Sequence, residues 1–309
     1  MIGSVHTEVS LSTLCGLFGY SRQSWYKVKR TACVHQELNE KILAFVKGLR
    51  VDQPRIGTKK LQYLVNKELS KEGSSIGRDA LFNLLRSRRM LVRSTKKYKP
   101  ASTDGNGKSI YVDLRKGMEV VEINQLWSCD ITYININSSV RHCYATFIVD
   151  EKSHKIVGHH ISTDMTAKET LRALQMAVKG QAQKDGKFNH LLAFHSDRGS
   201  QFKSNLFRIY LEDHEINGSM SQEGKSSENP VSERLNGIIK NELMIADSFD
   251  TVSAAGNAIE CAVKIYNEQR PHFSCNLLTP MEAHHEGLGV LKKMWQQRKT
   301  YASKKTDVT

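Results

Sequence analysis

Three carboxylates at wide intervals are the side chains of this sequence best suited to chemistry. Asp197 comes shortly after an apolar run at 191–194, thirty-five residues separate it from Glu233, and Asp130 lies upstream. Carboxylate oxygens are the ligands that Mg²⁺ takes in proteins. Two divalent ions ~4 Å apart can activate the attacking oxygen and stabilise the leaving oxygen in a displacement at phosphorus. We therefore expect Asp130, Asp197 and Glu233 to bind divalent metal for phosphoryl transfer.

The residues after Glu233 extend this site along one helix face. Pro230 is well placed to begin a helix, because its fixed backbone angle suits the first helical position. Asn236 lies three residues after Glu233 and Lys240 seven after it, which puts all three on one side of that helix. We expect this stripe to hold Glu233 over the metal ions while Lys240 reaches a phosphate of the DNA.

Alternating and helical patterns from about residue 120 supply the elements that must position these carboxylates. Asp130 shares a face with Ser128 and Thr132 in an alternating segment, so a central strand is expected there. Strands are predicted at 126–136, 143–149, 155–162 and 191–194, helices at 166–179, 203–211, 231–244 and 252–267, and a mobile loop at 221–228. This order predicts an α/β domain with a mixed sheet and helices on its faces.

The first third of the chain has helical periodicity instead. Residues 9–30 predict two short helices around a break at 19–21, and 36–92 predict three more, separated by turns at 53–57 and 73–77. Three short helices with tight turns are typical of helix-turn-helix DNA-binding domains. The predicted organisation is a helical segment at 1–35, a helix-turn-helix domain at 36–99, a linker at 100–118, the α/β domain at 119–285 and a basic tail at 286–309.

Positive charge is concentrated in the same third. The chain carries a net charge of +13, and residues 1–117 hold 23 Lys and Arg against 9 Asp and Glu, whereas residues 118–309 hold 22 against 23. A local basic surplus favours a region that binds a polyanion. The alternative is a solvated basic surface that maintains solubility.

One short stretch holds much of this charge and is the predicted DNA contact. Seven of the fourteen residues from 86 to 99 are basic and none is acidic. Such a run can neutralise several phosphates, which makes affinity steeply dependent on salt. A solvated helix end is the alternative interpretation. The seven residues are Arg86, Arg88, Arg89, Arg93, Lys96, Lys97 and Lys99.

The cysteines and the hydropathy pattern predict where in the cell the protein is located. The six cysteines include no Cys-x-x-Cys pair, which is typical of reduced thiols in an intracellular protein. No apolar run approaches the roughly 20 residues of a membrane span. We therefore expect a cytoplasmic, nucleoid-associated protein with no membrane partner.

Four segments together resemble the integrase-type DDE transposases, specifically the OrfB product of the IS-three family of bacterial insertion sequences. Residues 127–133 are similar to the motif around the family's first Asp, 195–202 to that around the second, and 219–243 to that around the Glu. Residues 266–272, followed by a Thr-Pro pair at 279–280, are similar to the C-terminal signature. In the N-terminal third, residues 19–26 and 54–57 resemble the family's helix-turn-helix segments.

The resemblance implies an RNase H-like fold with a five-stranded mixed sheet, and Asp130, Asp197 and Glu233 as catalytic metal ligands. It implies two Mg²⁺ ions, with Mn²⁺ as a substitute. It also implies recognition of terminal inverted repeats, strand cleavage, and attack of a 3′-OH on target DNA by a homodimer or higher oligomer. Asp150 and His195 lie in matching motifs, and we interpret both as structural.

Two features of the family bear on partners and on rival functions. Its full-length product begins with a helix-turn-helix and leucine zipper joined by frameshifting, and no heptad run of that kind stands in this sequence. The upstream-frame OrfA protein is therefore a candidate partner. Two alternative functions stay open: a catalytically inert DNA-binding regulator or subunit, and a simple nuclease that cuts without joining.

Overall fold

The computed structural model describes residues 10–92, 108–137, 141–182, 188, 191–222, 229–244 and 248–285, without the side chains of 31–34. The described residues divide into two compact units, the first within the ranges 1–51 and 57–93 and the second within the ranges 52–56 and 94–309. Four of the predicted DNA-binding residues, most of the loop 221–228 and the basic tail 286–309 lie outside the described residues. The four residues are Arg93, Lys96, Lys97 and Lys99.

The first unit is entirely helical within the described residues, as its periodicity predicts. Its elements are α1 (Leu11–Leu17), α2 (Arg22–Asp52), α3 (Thr58–Leu69), a 3₁₀ turn (Ser70–Glu72) and α4 (Arg78–Ser87). The last three helices meet through buried pairs spaced four residues apart, which brings each pair onto one helix face. The pairs are Ile42 with Val46, Leu61 with Val65, and Leu81 with Leu85.

Helix α2 differs from the expected organisation. We expected separate segments on either side of residue 35, whereas α2 runs for 31 residues without a break. The helix contains no proline, and its one glycine is Gly48. Nothing in the segment between the two apolar stripes therefore interrupts the backbone hydrogen bonds. No helix among the described residues is both long and apolar enough to cross a membrane.

The second unit is an α/β domain whose elements follow the predicted order. They are β1 (Leu126–Asn135), β2 (His142–Asp150), β3 (Ile156–Ser162), α5 (Ala167–Gln181), β4 (Ala193–Ser196), a 3₁₀ turn (Ser200–Lys203), α6 (Asn205–Asp213) and β5 (Asn217–Met220). They continue with α7 (Pro230–Ile238), a π-helical turn (Ile239–Leu243), α8 (Val252–Glu268), a 3₁₀ turn (Phe273–Cys275) and α9 (Pro280–His285).

The five strands form one mixed sheet in the order β3-β2-β1-β4-β5. The first three strands are antiparallel neighbours, whereas β4 pairs parallel to both β1 and β5. Helices cover both faces of this sheet. The arrangement confirms the RNase H-like fold implied by the sequence motifs.

Side-chain alternation along β1 decides which face carries Asp130. Trp127 and Cys129 point into the core shared with α5 and α6. Ile134 and Ile136 point into the core shared with α7 and α8. Because successive side chains in a strand point to opposite faces, Asp130 lies on the α7 side.

The segment at 108–118, expected to be part of a linker, packs against the sheet. Tyr111 lies beside Gly218 on strand β5, where a Cβ atom would come within 2.6 Å of the tyrosine ring. The backbone nitrogen of Leu114 donates to Ser219 Oγ at 2.9 Å. Strand β5 ends the sheet, and covering such an edge is a common way of protecting its unpaired backbone groups.

Close packing of β3 on α5 depends on Gly158. A Cβ atom at this position would lie 2.3 Å from the carbonyl oxygen of Ala173 and 2.9 Å from Ala177 Cβ. Because one of these neighbours is helix backbone, we expect Gly158→Ala to lower the free energy of unfolding by about 1–3 kcal/mol. Urea denaturation measures the effect. Gly180→Ala is the control, since a Cβ atom there meets nothing within 4 Å, and an equal decrease in both variants would contradict the packing argument.

Candidate active site

The register between β1 and β4 brings the two aspartates level with each other. Strand β1 pairs parallel to β4, with Ser128 opposite His195. Continuing that register by two residues places Asp197, just beyond the end of β4, beside Asp130 in the middle of β1. Two carboxylates that are far apart in the chain therefore share one edge of the site.

Helix α7 is fastened to β1 on both sides of Glu233. Asn229, immediately before the helix, donates from Nδ2 to the carbonyl oxygen of Cys129 at 2.9 Å. One turn after Glu233, Asn236 Nδ2 donates to Asp130 Oδ2 at 2.7 Å. Glu233 itself lies in the first turn of the helix and its side chain is exposed. The two asparagines therefore hold the helix that carries the third carboxylate over the strand that carries the first.

The electrostatics at Asp130 show that the acids sense one another. Burial and the negative charge of Asp197, with a smaller effect of Glu233, raise the pKa of Asp130 to about 7. Hydrogen bonds from the backbone nitrogen of Ile131 and from Asn236 act against this rise. Loss of surrounding water also raises the pKa of Asp197, opposed by a hydrogen bond from the backbone nitrogen of Gly199. A cluster of this kind favours a proton or a cation.

The three acids are grouped more loosely than a closed metal-binding cage. Their carboxylate oxygens do not form a described set lying within 4.8 Å of one another. Glu233 raises the pKa of Asp130 less than Asp197 does. Both Asp197 and Glu233 are exposed, whereas Asp130 is partly buried.

Lys240 lies on the predicted stripe but contacts strand β1. Its Nζ donates to Thr132 Oγ1 at 3.2 Å and to the carbonyl oxygen of Tyr133 at 2.8 Å. Lys240 belongs to the π-helical turn, where Met244 N bonds to Ile239 O. Wider turns of this type occur frequently at functional sites.

An ion pair between Arg270 and Glu242 supports the same π-helical turn. Arg270 is 1% exposed, and its Nη2 lies 2.5 Å from Glu242 Oε2. The backbone nitrogen of Arg55 donates to the carbonyl oxygen of Glu242 at 3.3 Å, and its guanidinium donates to the carbonyl oxygen of Asn241, also at 3.3 Å. Removing one partner from a buried ion pair is costly because the other charge stays buried. The C-terminal signature residue Arg270 therefore has a positioning role beneath the helix of Glu233.

Asp150 and His195 are both fully buried, and each bonds to neighbouring side chains. Asp150 accepts hydrogen bonds from Asn124 N at 2.6 Å and from both the nitrogen and the hydroxyl of Ser153 at 2.7 Å. It thereby closes the turn between β2 and β3. His195 Nδ1 lies 2.9 Å from Ser219 Oγ, which links β4 to β5. Both residues organise backbone and strand neighbours.

The described part of the basic stretch lies at the end of α4. Arg86, Arg88 and Arg89 are exposed. Arg86 stacks over the Phe82 ring at 4.7 Å, and Arg88 pairs with Glu40 at 2.8 Å. These residues present positive charge on the helical unit, whereas the carboxylates belong to the α/β unit.

Several residues that position the site could not be recognised from local sequence patterns. Asn229 and Arg270 stand inside segments that resemble family motifs, yet their bonds reach partners 100 and 28 residues away. The pairing of Arg55 with the π-helical turn spans 186 residues. Asparagine before a helix and arginine after one are common in surface positions, so only the motif context could have singled them out.

Family comparison identifies the domain that holds these acids. Two family descriptions, each of an integrase core domain, match residues 121–226 and residues 214–280. Together they span residues 121–280, which is more than half of the chain and includes Asp130, Asp197 and Glu233.

One solved structure resembles about half of this chain, and proteins from insertion sequences are similar to most of it. The HTLV-2 integrase catalytic core in complex with magnesium aligns with a TM-score of 0.40 at 21% identity, covering 52% of this chain and 97% of that one. The uncharacterized 31 kDa protein of insertion element IS600 from Shigella sonnei is 27% identical over 271 residues, covering 86% of this chain and 96% of the relative. Transposase InsF of insertion sequence IS3A from Escherichia coli K12 is 25% identical over 293 residues, covering 91% and 96%. With the family matches, the two insertion-sequence relatives show that the chain belongs to the integrase core family and is a transposase of the IS3 insertion-sequence type.

Proposed function

We propose that this transposase cuts and joins DNA at insertion-sequence ends with Asp130, Asp197 and Glu233 as its catalytic carboxylates. The observation that carries the proposal is the register of β1 with β4, which sets Asp130 level with Asp197 under helix α7. The raised pKa of Asp130 supports it, because that carboxyl senses the charge of both other acids. An inert DNA-binding protein has no need to maintain this repulsion.

The donor set fits a hard divalent ion. All three candidate ligands are carboxylates, and Mg²⁺ and Mn²⁺ prefer oxygen ligands. Their mutual repulsion, seen at Asp130, is relieved by a bound cation. The exposure of Asp197 and Glu233 leaves room for phosphate oxygens and water. We propose that these three side chains hold two such ions, which supply charge stabilisation at the reacting phosphorus.

The chain's own residues orient this site for two successive displacements. In the first, a water oxygen attacks a phosphodiester at the element end, the bond to the 3′ oxygen breaks, and a 3′-OH is released. In the second, that 3′-OH attacks a target phosphodiester, a new phosphorus–oxygen bond forms, and the bond from that phosphorus to the target's own 3′ oxygen breaks to release a target 3′-OH. Asn236 fixes the orientation of the Asp130 carboxylate, and Lys240 is placed to exchange its contacts on β1 for a DNA phosphate.

The proposed substrates are the terminal inverted repeats and the target DNA. The basic stretch at 86–99 supplies the phosphate contacts that position the repeats, since such contacts give register and affinity. Joining two ends to one target requires more than one active site, so we propose a homodimer or higher oligomer. The upstream-frame OrfA protein is the proposed accessory partner.

Removing any one of the three carboxylates should abolish the chemistry. We expect Asp130→Asn, Asp197→Asn and Glu233→Gln each to lower the cleavage rate by ~100-fold or more, because each removes an anionic metal ligand. The measurement is nicking and joining of labelled terminal-repeat DNA in Mg²⁺, with and without the OrfA protein. Matched controls are Asp213→Asn and Glu268→Gln, both at exposed helix positions.

Three outcomes of this assay would each contradict part of the proposal. Unchanged activity of the Glu233→Gln variant would remove Glu233 from the site. Cleavage without joined product would make the protein a nuclease. Binding of the repeats with no nicking by the wild type would favour the inert regulator.

Mg²⁺ and protons should compete for the carboxylate of Asp130. Its folded-state pKa of about 7 lies above the unfolded value near 3.8, so its contribution to stability is greatest at low pH and is lost as pH rises through about 7. In EDTA, we expect the wild type to lose stability relative to Asp130→Asn between about pH 4 and pH 7, by at most ~4 kcal/mol in the free energy of unfolding, and thermal melts should show the loss as a lower Tm. Mg²⁺ should restore the wild type at the higher pH and leave the variant unchanged. Parallel pH profiles in EDTA would contradict the raised pKa.

Salt dependence tests the role of the basic stretch. Neutralising Arg88, Arg89, Arg93 and Lys97 to Gln should weaken binding to the repeats and flatten the plot of log Kd against log salt, by up to ~0.9 in slope for each phosphate that the variant no longer neutralises. The controls carry the same charge change on exposed positions of α5 and α8. These are Lys168, Arg172, Lys179 and Lys264. An unchanged slope in the first variant would mean that the stretch is only a solvated surface.

A further inference from the structure

We propose that His154, His272 and Cys275 form a second metal site, suited to a borderline-soft divalent ion such as Zn²⁺. Each residue offers one ligand atom, and these three atoms all lie within 4.8 Å of one another. Ligands in tetrahedral zinc sites stand about 2.0–2.3 Å from the metal and therefore about 3.3–3.8 Å apart. Closing the set needs the ligand atoms to move together and the imidazole rings to turn, so that a nitrogen of each ring points at the ion.

The fold brings these residues together from two distant segments. His154 lies in the turn between β2 and β3, with a left-handed backbone at φ 58°, and its nitrogen bonds to Asp150 O at 2.8 Å. His272 and Cys275 lie in the loop between α8 and α9. That loop is closed on itself by bonds from His272 N to Leu278 O at 2.9 Å and from Cys275 N to His272 O at 3.0 Å. Both backbones are therefore held in place before any ion binds.

The two imidazole rings and the thiol are already close neighbours, although the rings meet face to face and must turn to bind one ion. The imidazole rings of His154 and His272 stack with centroids 4.4 Å apart and planes 23° apart. Cys275 is fully buried, and its thiol donates to the carbonyl oxygen of Ser153, the neighbour of His154, at 3.2 Å. The two histidines are only partly buried, which gives an ion a path from solvent.

The donor set distinguishes this cluster chemically from the carboxylates. Two imidazole nitrogens and a thiol suit Zn²⁺ or Co²⁺, whereas Mg²⁺ prefers oxygen. Three protein ligands leave a fourth position open for a solvent molecule. Burial and the charge of Asp150 raise the pKa of the Cys275 thiol to about 12, and a metal ion at the thiol reverses that preference by binding the thiolate.

Such an ion would act on the active site through Arg270. That residue stands two positions before His272 and supports the turn that follows α7. Metal binding at the cluster therefore ties the β2–β3 turn to the segment beneath the Glu233 helix. The proposed role is stabilisation of the catalytic unit, separate from the Mg²⁺ chemistry.

Cobalt titration of the full-length protein tests the site. After treatment with EDTA and a reductant, we expect Co²⁺ to produce thiolate-to-metal charge-transfer absorption with one ion per chain, and Zn²⁺ to displace it. Cys275→Ser should abolish the absorption and His154→Gln should weaken the binding. Cys261→Ser is the matched control, because Cys261 is an exposed free thiol on α8. The Asp130→Asn variant should keep the signal, which separates this site from the carboxylates.

The results of these experiments either support the metal site or overturn it. Thermal melts and circular dichroism without metal establish that each variant folds, and Zn²⁺ should raise the Tm of the wild type, Cys261→Ser and Asp130→Asn but not that of Cys275→Ser. A charge-transfer signal that survives in Cys275→Ser would overturn the site, as would its absence from the wild type at micromolar Co²⁺. If Cys275→Ser fails to fold, a full-strength signal in His154→Gln would also overturn it.

Discussion

The parallel pairing of β1 with β4 imposes the constraint on which the candidate active site depends, since it sets two carboxylates level on one sheet. Burial, together with the like charge of Asp197, disfavours ionisation of Asp130 and raises its pKa to about 7. The fold tolerates this repulsion because the strands are anchored by cores on both faces. An arrangement that is unfavourable for the isolated chain is the one that a divalent cation stabilises.

The helix that carries Glu233 is governed by polar contacts as much as by hydrophobic ones. Asn229 and Asn236 attach α7 to β1, and the pair of Arg270 with Glu242 supports the turn that follows. Hydrogen bonds of this kind need specific distances and angles, so they fix the rotation of the helix more strictly than apolar packing alone. The position of Glu233 therefore depends on residues outside the set of three carboxylates.

Local sequence patterns predicted most elements of the α/β unit, whereas they did not predict contacts between residues far apart in the chain. Alternation along 126–136 placed Asp130 on a strand, and Pro230 marked the start of α7, because both signals lie within a few residues of their effect. The continuity of α2 was missed because two apolar stripes can lie on one helix or on two. The packing of 108–118 on β5 was missed because its turn-rich composition is typical of linkers. The cluster of His154 with His272 joins residues from distant parts of the chain, and no spacing rule covers such a separation.

The contacts of Lys240 indicate how the proposed site can engage DNA without refolding. Its ammonium group donates to a hydroxyl and to a carbonyl oxygen of β1, both neutral acceptors. A phosphate oxygen carries negative charge, which adds a Coulomb attraction to the ammonium group that a neutral acceptor lacks. A phosphate oxygen near the carboxylates is therefore a better acceptor than either strand atom. Because lysine has a long flexible stem, this exchange needs a side-chain rotation only, and α7 can keep its asparagine contacts with β1 while the phosphate binds.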